Sequence, residues 1–249
     1  MEKLKKEERK ISAGSYDLNK WLFGGYDRDI ITTIYGPAGS GKTNFCILAA
    51  VSQAKKDNKV IFIDTEGGFS VERFKQIAGE GYNDVLKNII LLKPVNFEQQ
   101  KKAFSTMLNE IKNNSKIGLI VIDGITMLYR LELAEARKDK NNEKIKNVNS
   151  ELAKQLRMLA EISRSNLIPV LVTNQVYSDF LSEQDFRNGK EKIIHMVGGD
   201  LLKYWSKCII ELQNDGGRRK AILQKHRSLP EKEIDFVITN TGIKRRGWL

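Results

Sequence analysis

The segment Gly36-Pro37-Ala38-Gly39-Ser40-Gly41-Lys42-Thr43 constrains this chain more than any other. It satisfies the spacing G-x-x-x-x-G-K-[ST] in full. An apolar run, Ile30–Tyr35, precedes it, and a helical pattern from about Lys42 to Lys56 follows. A strand, a glycine loop and a helix in this order turn consecutive backbone N–H groups inward around an anion. The positive end of the helix dipole faces the same anion. Lys42 brings a point charge to β- and γ-phosphates, and Thr43 brings a hydroxyl to Mg²⁺. Asn44, the next helical residue, is counted with the nucleotide-binding set.

The rest of the chain repeats the alternation. Strands are expected at Val60–Asp64, Asn88–Leu92, Gly118–Asp123 and Ile168–Asn174. Helices are expected at about Val71–Ala78 and Phe97–Lys112, with two more filling much of 128–165 around the polar run Lys138–Lys146. Continuous apolar strands alternating with helices imply an α/β fold with a mostly parallel sheet covered on both faces. Three later runs, Cys208–Gln213, Lys220–Lys225 and Ile234–Thr239, read as an antiparallel extension, with a hairpin turn at Asn214–Gly217. Residues 1–13 read as a charged tail and 14–249 as one domain. Cys46 and Cys208 are too far apart for a metal spacing and read as small core residues. No apolar run reaches the roughly 18 residues that cross a bilayer, and the first ten residues are too charged for a signal peptide, so a cytoplasmic location without membrane contact is expected.

Two strands end in acids. Asp123 closes Leu119-Ile-Val-Ile-Asp, where a carboxylate faces the ligand crevice and suits Mg²⁺. Ile63-Asp64-Thr65-Glu66 ends the neighbouring strand; either Glu66 or Asp64 suits the attacking water, and spacing does not choose between them. Gln175 ends Val170-Leu-Val-Thr-Asn-Gln, where an amide suits sensing a γ-phosphate.

Taken together, Gly36–Thr43, Asp64-Thr-Glu-Gly-Gly-Phe69, Leu119–Asp123 and Thr173-Asn-Gln-Val176 resemble the ATPase core of the RecA-type recombinases, in particular their archaeal and eukaryotic branch. The likeness runs from about Gly14 to Gly247. It implies a RecA-like P-loop ATPase that uses ATP and Mg²⁺. It assigns Glu66 to the hydrolytic water beside Lys42, Arg73 to stacking on adenine, and Gln175 to coupling nucleotide state to DNA. It also implies DNA-facing loops at about 129–147 and 177–198. Only 35 residues precede Gly36 and they hold no Phe-x-x-Ala, so a filament joined through that strand is not expected, while a homodimer stays open. Pro37-Ala38 stands where the recombinases usually carry Glu-Phe. The reduced form is similar to the short archaeal paralogues, which assist the main recombinase in DNA repair and homologous recombination. Slow hydrolysis is implied, because fast turnover in the family depends on a neighbouring subunit and DNA. Lys225-His-Arg227 is instead similar to KaiC-like ATPases, where a Lys and an Arg reach a neighbouring subunit's nucleotide; the alternative is therefore a ring-forming signalling ATPase with no DNA role.

The net charge of +11 fits a polyanionic partner or a merely solvated basic surface. From Gly216 onward nine basic residues face three acidic ones. Arg218, Arg219 and Lys220 at the hairpin, Lys244, Arg245 and Arg246 near the end, and Lys138 and Lys140 in the first loop are candidate phosphate contacts. They suit salt-sensitive binding with little sequence preference, single-stranded DNA being favoured. Tyr129, Tyr177 and Phe180 are candidates for stacking on bases or for packing on the core.

Overall fold

In the computed structural model, residues 9–113, 116–178 and 194–247 are described. Six strands run parallel: β3 (Ile31–Gly36), β4 (Lys59–Asp64), β5 (Ile89–Leu92), β6 (Ile117–Asp123), β7 (Val170–Ser178) and β9 (Ser206–Asp215). They lie in the order β9-β3-β7-β6-β4-β5. Beyond β9 the sheet continues antiparallel through β10 (Arg218–His226), β11 (Lys232–Thr239) and β12 (Gly242–Arg245). A short strand β8 (Ile194–Met196) pairs with the end of β7, and β1 (Lys10–Ile11) pairs with β2 (Tyr26–Asp27).

The central parallel strands carry long apolar runs, such as Val60–Ile63 and Leu119–Ile122, because both faces are covered. Successive side chains point to opposite sides. Val60, Phe62, Leu119, Val121 and Leu171 join a core with the phosphate-loop helix α2 (Lys42–Ala54). Ile61, Ile63, Ile120, Ile122, Val170 and Val172 join a second core with α5 (Phe97–Asn113), α6 (Met127–Lys138) and α7 (Asn142–Asn166). Each such fully buried aliphatic or aromatic side chain contributes roughly 1.5–3 kcal/mol. The remaining helices are α1 (Tyr16–Trp21), α3 (Val71–Ala78), α4 (Tyr82–Leu86) and α8 (Gly199–Trp205). Cys46 and Cys208 are buried and free, as small core residues.

Three expectations are corrected. The first of the C-terminal runs, β9, is parallel to β3 and only its far edge turns antiparallel. Residues 10–13 are packed rather than tail-like: Ile11 and Ala13 are buried, and Lys10 Nζ lies 3.3 Å from Asp27. The stretch 129–147 is two helices with a break at residues 139–141, not an open loop. Its polar residues stabilise helix ends, since the Asn141 side chain caps α7 by accepting from Lys144 N–H at 2.9 Å, and Lys144 Nζ reaches Glu132 on α6 at 2.9 Å. Tyr129 is accordingly packed, its hydroxyl donating to Asn149 at 2.8 Å. Of the second segment, 177–198, residues 179–193 with Phe180 lie outside the described residues, as does the Tyr177 side chain.

Candidate nucleotide site

Four parallel strands deliver their C-terminal ends to one place. Gly36 ends β3, Asp64 ends β4, Asp123 ends β6, and Gln175 lies near the end of β7, in register with Gly36. A crevice at these ends is where an open parallel sheet binds ligands. Gly36 is required by packing: a Cβ there would fall 2.2 Å from the Leu212 carbonyl oxygen on β9. Gly41, with φ +109, sits at the N-terminus of α2 in a conformation that side chains rarely adopt.

Lys42 is buried and folds back over the loop, its ammonium donating to the carbonyls of Gly36 at 2.9 Å and Pro37 at 3.0 Å. Burial lowers its pKa, and the carboxylates of Glu66 and Asp123 oppose that shift. The buried Ser40 hydroxyl has no partner. Thr43 Oγ1 donates to Asp123 Oδ2 at 2.7 Å, so the two expected metal ligands already touch. Asp123 Oδ1 accepts from Thr173 Oγ1 at 2.5 Å. Burial pushes the Asp123 carboxyl up to about 6, with the two threonine hydroxyls pulling the other way and Glu66 and Asp64 adding repulsion.

Asp64 and Glu66 differ in what they hold. Both Asp64 oxygens accept backbone N–H groups, Gly68 and Phe69, each at 3.0 Å, so this carboxylate shapes its own loop. Glu66 Oε2 accepts from Gln175 Nε2 at 2.9 Å, and Glu66 Oε1 is buried without a partner. Gly68 closes over the Thr43–Asp123 pair; a Cβ there would lie 3.1 Å from Thr43 Oγ1 and 3.4 Å from Asp123 Oδ2.

Arg73, on α3, donates from Nε to Asn44 Oδ1 at 2.6 Å and from Nη1 to the carbonyl of Thr239 at 2.8 Å. It thus joins α2 to the β11–β12 turn beside the phosphate loop. Sequence reasoning passed over Thr173, Thr65 and Asn174. Thr173 accepts from Gly124 N–H at 2.7 Å besides donating to Asp123. Thr65 Oγ1 donates to the carbonyls of Asp123 and Gly124 at 2.9 and 2.7 Å. Asn174 accepts from Thr126 at 2.5 Å and donates to the Val197 carbonyl at 2.7 Å. Their signal was position: each adjoins a named strand-end residue.

The Rad51 family model matches residues 4–246. The chain belongs to the Rad51 family. Membership implies a nucleotide bound with magnesium, which accords with the donor set at Thr43 and Asp123. A protein named DNA repair and recombination protein RadB from Methanocaldococcus jannaschii is 43% identical over 227 residues, covering 91% of this chain and 98% of the relative. One of the same name from Methanobrevibacter smithii is 37% identical over 241 residues, covering 95% and 96%. A crystal structure described as the RadB recombinase superposes with a TM-score of 0.73 at 33% identity, over 94% of this chain and 98% of that one. Rad51-family membership across nearly the whole chain does not favour the KaiC-like alternative.

The other expected residues of this Rad51-family chain scatter. Lys225 and Arg227 lie at the opposite end of the sheet, since the end of β10 pairs with the start of β9. Arg227 is engaged within its own chain, by both Nη atoms to Asp29 at 2.5 and 2.6 Å and by Nε to Asp27 at 3.2 Å. Lys225 Nζ donates to the Lys203 carbonyl at 2.8 Å. Arg218, Lys138, Lys140, Lys244 and Arg245 are exposed, and Arg246 is half-buried. Lys220 is paired with Glu233 at 2.9 Å, and Arg219 turns toward the phosphate loop. Among the described residues no helix is long and apolar enough to cross a membrane.

Proposed function

We propose that this chain is an ATP-binding accessory protein of DNA repair and homologous recombination that hydrolyses ATP slowly, binds DNA directly and assists the main recombinase. The carrying observation is the pairing of Thr43 with Asp123 and of Gln175 with Glu66 at neighbouring strand ends. It stands in a chain alignable over more than nine tenths of its length with proteins named for DNA repair and recombination.

Thr43 and Asp123 hold the metal. Among the described residues no group of three or more His, Cys, Asp or Glu makes an all-protein cage, which suits a magnesium ion taken up with nucleotide phosphates. A magnesium ion held there would supply neutralisation of phosphate charge. Lys42 exchanges its two loop carbonyls for those phosphates. Glu66, rather than the backbone-bound Asp64, orients the water for in-line attack, and its unpartnered Oε1 is the free acceptor. Gln175 then exchanges Glu66 for the γ-phosphate, which carries nucleotide state into β7 and the segment beyond. Arg73 stacks on adenine beside Asn44. The chain from Lys10 onward acts as one RecA-like unit in the cytoplasm, with a homodimer in scope. Arg218, Lys244, Arg245, Lys138 and Lys140 meet DNA phosphates, single strands being favoured.

The test is binding of a labelled single-stranded oligonucleotide at two salt concentrations, with and without ATP–Mg²⁺. Binding that weakens steeply with salt and changes with nucleotide is expected. No binding at low salt would remove DNA as a direct ligand and leave a purely protein-directed role.

A further inference from the structure

Arg219 stood among the candidate DNA contacts, yet its surroundings belong to the phosphate loop. It is the second residue of β10, just after the turn Gly216-Gly217, at the end of the sheet where β3 delivers Gly36–Thr43. Its cross-strand partner on β11 is Phe236. Cross-strand partners share a face of the sheet. Phe236 packs edge-on against Phe45 of α2 at 5.3 Å, so Arg219 stands on the α2 face and Arg218 and Lys220 on the other. Its Nη2 lies 3.5 Å from the Gly39 carbonyl, and its Nε is enclosed without an acceptor.

Other cations on and beside β10 contrast with it. Lys220 has Glu233, and Arg227 has Asp27 and Asp29. Among the described residues no carboxylate pairs with Arg219. A guanidinium with an enclosed, unpartnered N–H beside a carbonyl is poised for an anion. The nearest built anion site is the loop it leans on.

We propose that Arg219 is a nucleotide-phosphate ligand supplied by this chain to its own phosphate loop, recognising the terminal phosphate of a nucleoside triphosphate together with Lys42. The inference rests on the reading of Gly36–Thr43 as an ATP site. Arg219 then belongs to the nucleotide, not to DNA, and the hairpin divides its two arginines between two tasks.

The test compares wild type, R219A, R219K and R218A by calorimetric titration with a non-hydrolysable ATP analogue and with ADP, each with Mg²⁺, alongside oligonucleotide binding across salt. Thermal melts without nucleotide establish that each variant is folded, and R219K, which keeps a cation but not the fork, covers the case where R219A is not. The expected result is a roughly tenfold or greater loss of triphosphate affinity in R219A, a smaller loss in R219K, little change for ADP, and wild-type nucleotide binding in R218A. Equal triphosphate affinity in wild type and both Arg219 variants overturns the inference, as does a DNA salt slope shallower by about one in R219A with nucleotide binding intact. If wild type itself binds no nucleotide, the underlying reading of the site fails instead.

Discussion

Asp123 is held ionised at neutral pH against the preference of its surroundings, and replacing it with Asn makes that tension measurable. Burial, partly offset by the hydroxyls of Thr173 and Thr43, moves its carboxyl from the ordinary 3.8 to about 6. Each pH unit of such a displacement corresponds to about 1.4 kcal/mol, so the charged form burdens the fold by about 3 kcal/mol. The sign follows from proton affinity: the folded state binds this proton more tightly than the unfolded chain, so the fold is favoured below the ordinary value and loses stability as pH rises through about 6. Asp123→Asn removes the burden but offers one acceptor where two hydroxyls now donate, which returns about 1 kcal/mol. The variant is therefore expected to be more stable than wild type by about 2 kcal/mol at pH 8, without metal or nucleotide and with a chelator present. In urea that is a midpoint higher by roughly 0.8 M for a domain of this size. The gap should narrow by about 2 kcal/mol on going to pH 4.5. Adding ATP–Mg²⁺ should reverse the order, stabilising wild type and leaving D123N nearly unmoved. Equal midpoints at pH 8, or a gap that ignores pH, would refute the reasoning.

Glu66→Gln should bind ATP as wild type does while phosphate release falls at least 100-fold, checked by titration and a coupled phosphate assay. Gly124→Ala should destabilise by about 2–4 kcal/mol and dislodge Glu66, because at φ +83 its Cβ would meet Glu66 Cγ at 2.5 Å; a urea curve and the hydrolysis rate check both. Arg227→Ala should lower stability by about 1–2 kcal/mol at pH 7, since the buried Asp27 loses a partner. Although burial alone would raise Asp27, His226, Lys10 and Arg227 hold its carboxyl below the ordinary value, so this loss should fade as pH falls through that lowered value, read by melts from pH 7 to 3. Reversing Lys244 and Arg245 together to Glu should leave ATP affinity intact and make the salt dependence of oligonucleotide binding shallower by at least about 1.

The gathering of the candidate site's residues at strand ends was legible because phosphate chemistry demands fixed residue types there, and apolar runs such as Leu119–Ile122 mark those ends plainly. Strand β4 and helix α3 also lie where their patterns placed them. Spacing alone left Asp64 and Glu66 open, and only the family resemblance favoured Glu66, since what separates them in the fold is which backbone N–H groups curl round the loop after β4. The two helices flanking residues 139–141 were expected, but the shortness of the break between them was not legible: an Asn cap and a Lys144–Glu132 pair between two helices look like any polar run. The side of the sheet that Arg219 occupies was not legible either, because charge in sequence does not say which face of a strand a residue takes, and that needs the pairing with Phe236.

The amide of Asn174 has a consequence for motion. It is wholly buried, and its two ends grip Thr126, which opens α6, and Val197, where the chain turns into α8. If either element shifted alone, half of this amide would be left without a partner in a dry interior, a penalty of about 1–3 kcal/mol. The two helix starts therefore share a single latch. A movement of β7 would carry both helix starts together, so a signal arriving at Gln175 would reach two surfaces in step rather than in sequence.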